Sequence, residues 1–344
     1  MNKEYFKDRE TLNSSFLKAL AYHPKQAKAM LEGSSKQSTA LSDGSLVDVL
    51  LTQPDKFDEL YIIYRGKKPT DKLLEVAEKY ISIYQLEANT GAFDKDRAII
   101  SSQQQVGYDG RLKPETMIKR FEDECLNYCD FVIADLGKIV VDEENYNKNN
   151  RLALNAKSSP YLQHIFTPDS NLIVLFQVEI YLTTTRFVGK ALIDCIVIDL
   201  VKKTITPYDF KTFEGSFEAN YWKFKYYYQE VWYSFILNTL CNPGMFIDCT
   251  MPEELRIIES GEYTIEQFTF IAIDKSEYKE IELFQSYKGI VDDVFFKGFI
   301  DKGDYRVKIK SIEELIEESK YRISIGDWSN DYEMMTKGFK RLWL

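Results

Sequence analysis

The sequence predicts an α/β protein in which a β-meander is followed by a long helix, with a largely helical N-terminal region and insertion. Three observations carry this. Residues 171–210 hold three stretches rich in β-branched and aromatic residues, separated by short polar turns, which is the pattern of a β-meander. An aromatic stretch at about 217–239 follows at helical spacing and is stopped by Cys241-Asn242-Pro243-Gly244. N-terminal to the meander, apolar residues recur every three to four positions rather than every two.

The elements follow in order. Residues 9–32 read as a helix that Asn13 or Ser14 can cap, interrupted at His23-Pro24. Leu41 to Leu51 is a second helix, with Leu41, Gly44, Ser45, Asp48 and Leu51 on one side. Helices are expected at 70–84 and, opening at Pro114, at 113–130. Asn145 to Asn150 reads as a turn, and only Tyr61-Ile62-Ile63-Tyr64 has strand character in 55–160. The meander strands are expected at 171–182, 186–200 and 204–210, a further strand at 268–273, and helices at 305–323 and 328–342. The expected organisation is 1–55 as N-terminal helices packing on the core, 56–164 as a mostly helical insertion, 165–275 as the core, and 276–344 as a C-terminal helical region.

The bulk numbers narrow the class. The chain has 344 residues, 44% hydrophobic and 28% charged, which is too apolar for a disordered chain. No stretch is apolar for long enough to cross a bilayer, and residues 1–5 lack the apolar core of a secretory signal, so a cytoplasmic protein is expected. Five cysteines without a CxxC, and only two histidines, argue against a disulfide framework or a structural zinc site. The net charge of −10 argues against coating DNA by electrostatics alone, though not against gripping it through a local basic patch. No P-loop or G-x-G-x-x-G is present, so no nucleotide cofactor is expected.

Three polar residues stand where the strand pattern wants apolar ones. Asp194 lies inside Ala191-Leu192-Ile193-Asp194-Cys195-Ile196-Val197, and Asp209 and Lys211 flank Phe210 at the end of the next strand. Residues two apart on a strand share a face, so Asp209 and Lys211 project together, and a hairpin would bring Asp194 beside Asp209. Two close carboxylates repel unless a cation separates them. Oxygen ligands at this density suit Mg²⁺ or Mn²⁺, and a nearby ammonium can orient a water or stabilise developing phosphate charge. On spacing alone, the same residues also suit a surface Asp209–Lys211 ion pair with an aspartate at a hairpin edge.

Five segments, in order, carry a resemblance to a known family. They are Leu12-Asn13-Ser14-Ser15-Phe16-Leu17-Lys18 with His23-Pro24; Gly44-Ser45-Leu46-Val47-Asp48-Val49-Leu50-Leu51; Ala191-Leu192-Ile193-Asp194; Asp209-Phe210-Lys211-Thr212; and Gln229-Glu230-Val231-Trp232-Tyr233. They resemble the S-x-S-x-L…P, G-x-x-x-H-x-L-L, G-x-x-D, D-x-K-T and Q-x-x-x-Y motifs of the PD-(D/E)XK nucleases, in particular the RecB-like and RecE-like (exonuclease VIII) group with its phage relatives. The match spans residues 12–233; 55–160 and the C-terminal third match loosely. Two positions depart from the pattern: Ala191 replaces the usual Gly, and Asp48 replaces the usual metal-binding His.

The resemblance implies a restriction-endonuclease-like core, with a mixed central sheet flanked by helices, and hydrolysis of DNA by a Mg²⁺- or Mn²⁺-dependent exodeoxyribonuclease in phage or mobile-element recombination or replication. It implies metal binding by Asp194 and Asp209, with Asp48 and the Phe210 carbonyl as further ligands, Lys211 on the nucleophilic water, and Gln229 and Tyr233 over the site, contacting substrate or Lys211. Asp48 also suits a solvent-facing helix position. Glu179 is a candidate supporting carboxylate or an outward-facing strand residue. On the aromatic helix, Phe224, Tyr228, Trp232 and Phe235 have core spacing, while Lys223, Lys225 and Tyr226 suit DNA contact. No iron–sulfur cluster is expected, because Cys241 and Cys249 lack the cysteine-triplet spacing of the relatives that carry one. The expected partner is DNA, with homo-oligomerisation and a single-strand annealing or binding protein left open by analogy. Two rivals stand beside this reading: a structure-specific or single-strand endonuclease on the same fold, and a catalytically silent DNA-binding or assembly subunit.

Overall fold

The computed structural model describes residues 8, 11–33, 39–108, 112–242, 244–276 and 281–328. Leu41, whose side chain was expected beside Asp48, and the helix expected at 328–342, beyond Trp328, lie outside the described side chains and residues.

Helix α1 (Ser14–Tyr22) is capped by Asn13, whose side chain accepts from the Phe16 amide at 3.0 Å. The helix does not begin at residue 9. Leu12 instead pairs with the sheet, its amide donating to the Val188 carbonyl and its carbonyl accepting from Lys190. His23 ends α1 and caps α2 (Pro24–Leu31), where Pro24 occupies a position whose missing N–H costs nothing. Helix α3 (Thr39–Thr52) follows.

The chain divides into two compact units: Gln53–Arg151, and Met1–Thr52 with Leu152–Leu344. The first holds β1 (Tyr61–Tyr64), α4 (Asp71–Glu87), α5 (Lys95–Val106), α6 (Pro114–Phe121), α7 (Asn127–Ala134) and β2 (Ile139–Asp142), with a π-helical turn joining α6 to α7. Its core includes Val76, Tyr80, Ile99, Phe121 and Cys129. Two expectations fail here. β2 pairs parallel with β1, although a three-residue apolar run between charged flanks is too short to read as a strand. Asn145 to Asn150 lies inside α8 (Glu143–Ser158), because Asp142 accepts from the Asn145 amide at 2.8 Å and starts a helix there.

The second unit is built on β3 (Leu172–Thr183), β4 (Val188–Asp199) and β5 (Thr204–Phe213). After them come α9 (Phe217–Lys223), α10 (Tyr227–Leu240), β6 (Asp248–Thr250), β7 (Thr264–Ile265), β8 (Thr269–Asp274) and β9 (Glu282–Phe284). The sheet order is β6-β3-β4-β5-β8-β9, with β7 also on β5. β3, β4 and β5 form the antiparallel meander, and β8 runs parallel to β5 after the helical crossover. The fold is therefore α/β, with a mixed central sheet flanked by helices. β10 (Phe299–Asp301) pairs with β11 (Arg306–Lys308). Helix α11 (Ile312–Ile325) starts later than the expected 305, at a capping box between Ser311 and Glu314. Among the described residues, no helix is long and apolar enough to cross a membrane.

Two differences bear on the site. β5 runs on to Phe213 because β8 pairs with Tyr208–Phe213, so Asp209 and Lys211 are interior to the strand rather than at its end. The expected helix over 217–239 is two helices. Lys225 is left-handed at φ +53°, and its amine donates to the Ala21 carbonyl at 3.2 Å. That contact with α1 stabilises the break and turns Phe224 out of the core, where its spacing had placed it; Tyr228 and Trp232 stay buried.

Helix α10 sits close on β4 at Gly189. A Cβ there would come within 2.8 Å of Trp232 and 3.0 Å of Phe187. Trp232 cannot easily retreat, since its indole N–H donates to the Lys190 carbonyl at 2.9 Å. Gly189→Ala is expected to cost about 1–3 kcal/mol of stability through overpacking. It should lower the urea midpoint, whereas Val188→Ala, at a 47% exposed neighbour, should leave the midpoint nearly unchanged.

Candidate active site

Alternation along β4 sends Ala191 and Ile193 into the core and Lys190, Leu192 and Asp194 into a cavity of about 460 Å³. The same cavity receives Asp209 and Lys211 from β5, Gln229 and Tyr233 from α10, and Ser14 from α1. Gln229 and Tyr233 reach it together because residues four apart share a helix face.

The register explains the meeting of the aspartates. β4 and β5 pair as far as Cys195 with Tyr208, and one step further Asp194 faces Asp209. There a side chain takes over from the backbone ladder: Asp194 Oδ2 accepts from the Phe210 amide at 2.9 Å. Asp209 is fully buried. Its Oδ1 accepts from Gln229 Nε2 at 2.5 Å, and its Oδ2 forms an ion pair with Lys211 Nζ. Gln229 thus holds Asp209, where contact with substrate or with Lys211 was expected. Asp209 Oδ2 has no hydrogen-bond partner beyond that ion pair among the described residues.

Asp48 belongs to the same electrostatic group. Gln177 Nε2 lies 3.2 and 3.1 Å from its two carboxylate oxygens. Gln177 stands opposite Asp194 with φ +51°, where the β3–β4 pairing skips one position. A left-handed non-glycine costs on the order of 1–3 kcal/mol, and such strain gathers at functional sites. Asp48 is therefore not the solvent-facing residue that its helix position also allowed.

Burial, then the charge of Asp209, then that of Asp48 push the Asp194 carboxyl well above the usual carboxylate range. Burial and Asp209 likewise raise Asp48, opposed by Lys211 and Gln177. For Lys211, burial pulls downward, but Asp209 and Asp194 outweigh it and hold the ammonium firmly charged. Burial, with Asp209, raises the Tyr233 hydroxyl to about 12, and the nearby Ser14 opposes the shift.

Among the described residues, no three His, Cys, Asp or Glu side chains stand as a preformed metal-binding group. Each aspartate is instead held by a neighbour: Asp48 by Gln177, Asp194 by the Phe210 amide, Asp209 by Gln229 and Lys211. The residues nonetheless fit a hard divalent cation. Mg²⁺ binds through one or two carboxylates and completes its shell with waters and phosphate oxygens. The under-partnered Asp209 oxygen and the carboxyls raised by burial and by mutual repulsion are the features such a cation relieves.

The other expected residues lie as follows. The Phe210 ring points away from the cavity, towards Phe166 at 6.1 Å. Glu179 sits in the field of the buried Lys190 and supports its charge. Tyr226 is half-buried, 5.4 Å from the Lys211 amine. Lys225 is half-buried against Tyr22, and Lys223 is exposed beside Phe224; neither lines the cavity. Three polar residues of the site had been given no role. Lys18 lies 5.5 Å from the Tyr226 ring, its amine lowered to about 8 by burial and Lys211, against Asp209. Its spacing of four from Ser14 was a readable signal. Lys190 sits against Asp8, and Gln177 gave no sequence signal at all.

No family model and no curated protein matches the chain. Among solved structures, the chain is similar to a crystal structure described as "Putative exonuclease" from Eubacterium rectale, at 12% identity and a TM-score of 0.45, covering 100% of this chain and 95% of that one.

Proposed function

We propose that the protein is a metal-dependent deoxyribonuclease that hydrolyses phosphodiester bonds at the Asp194–Asp209–Lys211 centre. One observation carries the reading: two neighbouring strands deliver two aspartates and a lysine to one cavity, with Gln229 fixing Asp209 from α10. The antiparallel meander followed by a parallel strand supports the resemblance to PD-(D/E)XK nucleases. The exonucleolytic mode and the setting in phage or mobile-element recombination rest on that resemblance.

Asp194 and Asp209 would hold Mg²⁺ or Mn²⁺, with Asp48 and the Phe210 carbonyl available as further ligands. When bound, the ion supplies charge neutralisation at the phosphate and a more acidic water. Lys211, kept charged by its two aspartates, orients the attacking water and offsets charge developing on the phosphate oxygens. Gln229 keeps the Asp209 carboxylate from swinging away. Tyr233 and Ser14 line the same cavity.

The test is release of acid-soluble label from linear and covalently closed circular DNA with Mg²⁺ or Mn²⁺. The expected result is degradation of the linear form, abolished by EDTA and by Asp194→Asn. Cleavage of both forms moves the reading to an endonuclease on the same centre. Absence of cleavage of duplex and single strands with either metal overturns the nuclease reading in favour of a silent DNA-binding subunit.

A further inference from the structure

The break between α9 and α10 gathers rings and lysines that the hydrolysis above does not use. Phe224 is 41% exposed and Tyr22 45% exposed. Each carries an ammonium: Lys223 lies 5.2 Å from the Phe224 centroid, and Lys225 4.1 Å from that of Tyr22. The arrangement is braced from both sides. The Tyr22 hydroxyl donates to the Lys223 carbonyl at 2.6 Å, and Lys225, in its left-handed conformation, donates to the Ala21 carbonyl. Large rings left exposed yet positioned by several contacts serve recognition better than they serve the core.

The rings lead inward. Phe224 and Tyr226 have centroids 5.8 Å apart. Tyr226 in turn has the amines of Lys18 and Lys211 at 5.5 and 5.4 Å, and Lys211 pairs with Asp209. Outward, Lys302 lies 4.7 Å from the Trp222 ring. Lys18, Lys211, Lys223, Lys225 and Lys302 each lie beside one of these rings in a chain of net charge −10, so the patch complements a phosphate backbone against the overall charge. Aromatic rings interleaved with lysines take unpaired bases, because stacking needs a free base face and is indifferent to sequence. Bases within a duplex offer no such face.

We propose that Tyr22 and Phe224, with Lys18, Lys223 and Lys225, form a stacking platform for a single strand of DNA that leads past Tyr226 to the Asp209–Lys211 pair. The destination of the strand rests on the nuclease reading; the platform itself does not.

The test is binding of fluorescein-labelled oligothymidylate by anisotropy, with Ca²⁺ in place of Mg²⁺ and at fixed salt, beside a blunt duplex of equal length. Tyr22→Ala with Phe224→Ala is expected to weaken oligothymidylate binding by about tenfold or more and duplex binding by less than about threefold. Phe224→Trp should retain affinity and Phe224→Leu should lose it, since a ring is required rather than apolar bulk. Circular dichroism melts check that the exposed substitutions leave the fold intact. Unchanged oligothymidylate affinity in the double variant, equal loss on duplex, or full affinity in Phe224→Leu each overturns the platform. Binding is read without turnover, so the two readings fail separately. A chain that stacks oligothymidylate on these rings and cuts nothing overturns the nuclease alone. One that cuts DNA and ignores the ring substitutions overturns the platform alone.

Discussion

Lys211→Ala is expected to lower metal-dependent DNA cleavage by on the order of a thousandfold, the usual loss when a preorganised charge is removed from a transition state. The same change should destabilise the fold. Lys211 is the ion-pair partner of Asp209, whose carboxyl is fully buried. Removing one member of such a pair strands the other, at a cost of about 3–5 kcal/mol. Activity and stability must therefore be separated. Replacing both members, Asp209→Asn with Lys211→Met, removes the stranded charge and is expected to recover most of the lost stability while leaving cleavage abolished. Single-turnover cleavage and urea unfolding on the three proteins decide the matter. If Lys211→Ala cuts within tenfold of wild type, Lys211 has no part in the chemistry. If the double variant recovers activity along with stability, the pair is structural.

The second large effect lies on the other side of α10. Glu230 is 1% exposed, and its carboxylate oxygens accept from the Tyr221 hydroxyl at 2.6 Å and the Ser286 hydroxyl at 2.5 Å. Burial raises its carboxyl to about 7, and the two hydrogen bonds only partly oppose this. An acid raised in the folded state binds its proton more tightly there than in the unfolded chain. Its contribution is thus complete below the unfolded value near 4.5 and is lost as pH rises through about 7. The shift corresponds to roughly 3 kcal/mol. Glu230→Gln cannot ionise. Its stability relative to wild type is expected to climb by about that amount between pH 4.5 and pH 8, with a small constant offset for the altered hydrogen bonds. Comparing the two proteins at each pH cancels the contributions of Asp48 and Asp194, which shift in the same direction. Parallel stability curves for the two proteins across that range would show that Glu230 ionises freely in the fold.

The meander and its chemistry were legible because their signals are local. Val201-Lys202-Lys203 is short and polar, so β4 and β5 had to pair as a hairpin, and the side-chain period of two then set Asp194 against Asp209 and put Lys211 on the same face. The caps at Asn13 and the stop beyond Leu240 were readable for the same reason. The break after Lys223 was not. The run of aromatics through it keeps a helical period, and what interrupts it is a contact with Tyr22, 201 residues away along the chain from Lys223. Nor could composition place Asp48. A carboxylate on a helix at that spacing suits solvent or a metal equally, and only the packing of α3 near β5, with Gln177 turned towards it, brings it into the field of Asp209.

By itself the sequence determined the meander strands, their turns, the face on which two aspartates and a lysine project, and the helix that carries Gln229 and Tyr233. Each of these follows from periodicity or capping within a few residues. The tertiary structure alone decided the interior position of Asp209 and Lys211, because β8 lengthens β5. It alone recruited Lys190 and Gln177 to the cavity region and turned Phe224 outward beside Tyr22. These outcomes depend on which distant surfaces are buried together, and burial is a property of the assembled fold that no single segment encodes.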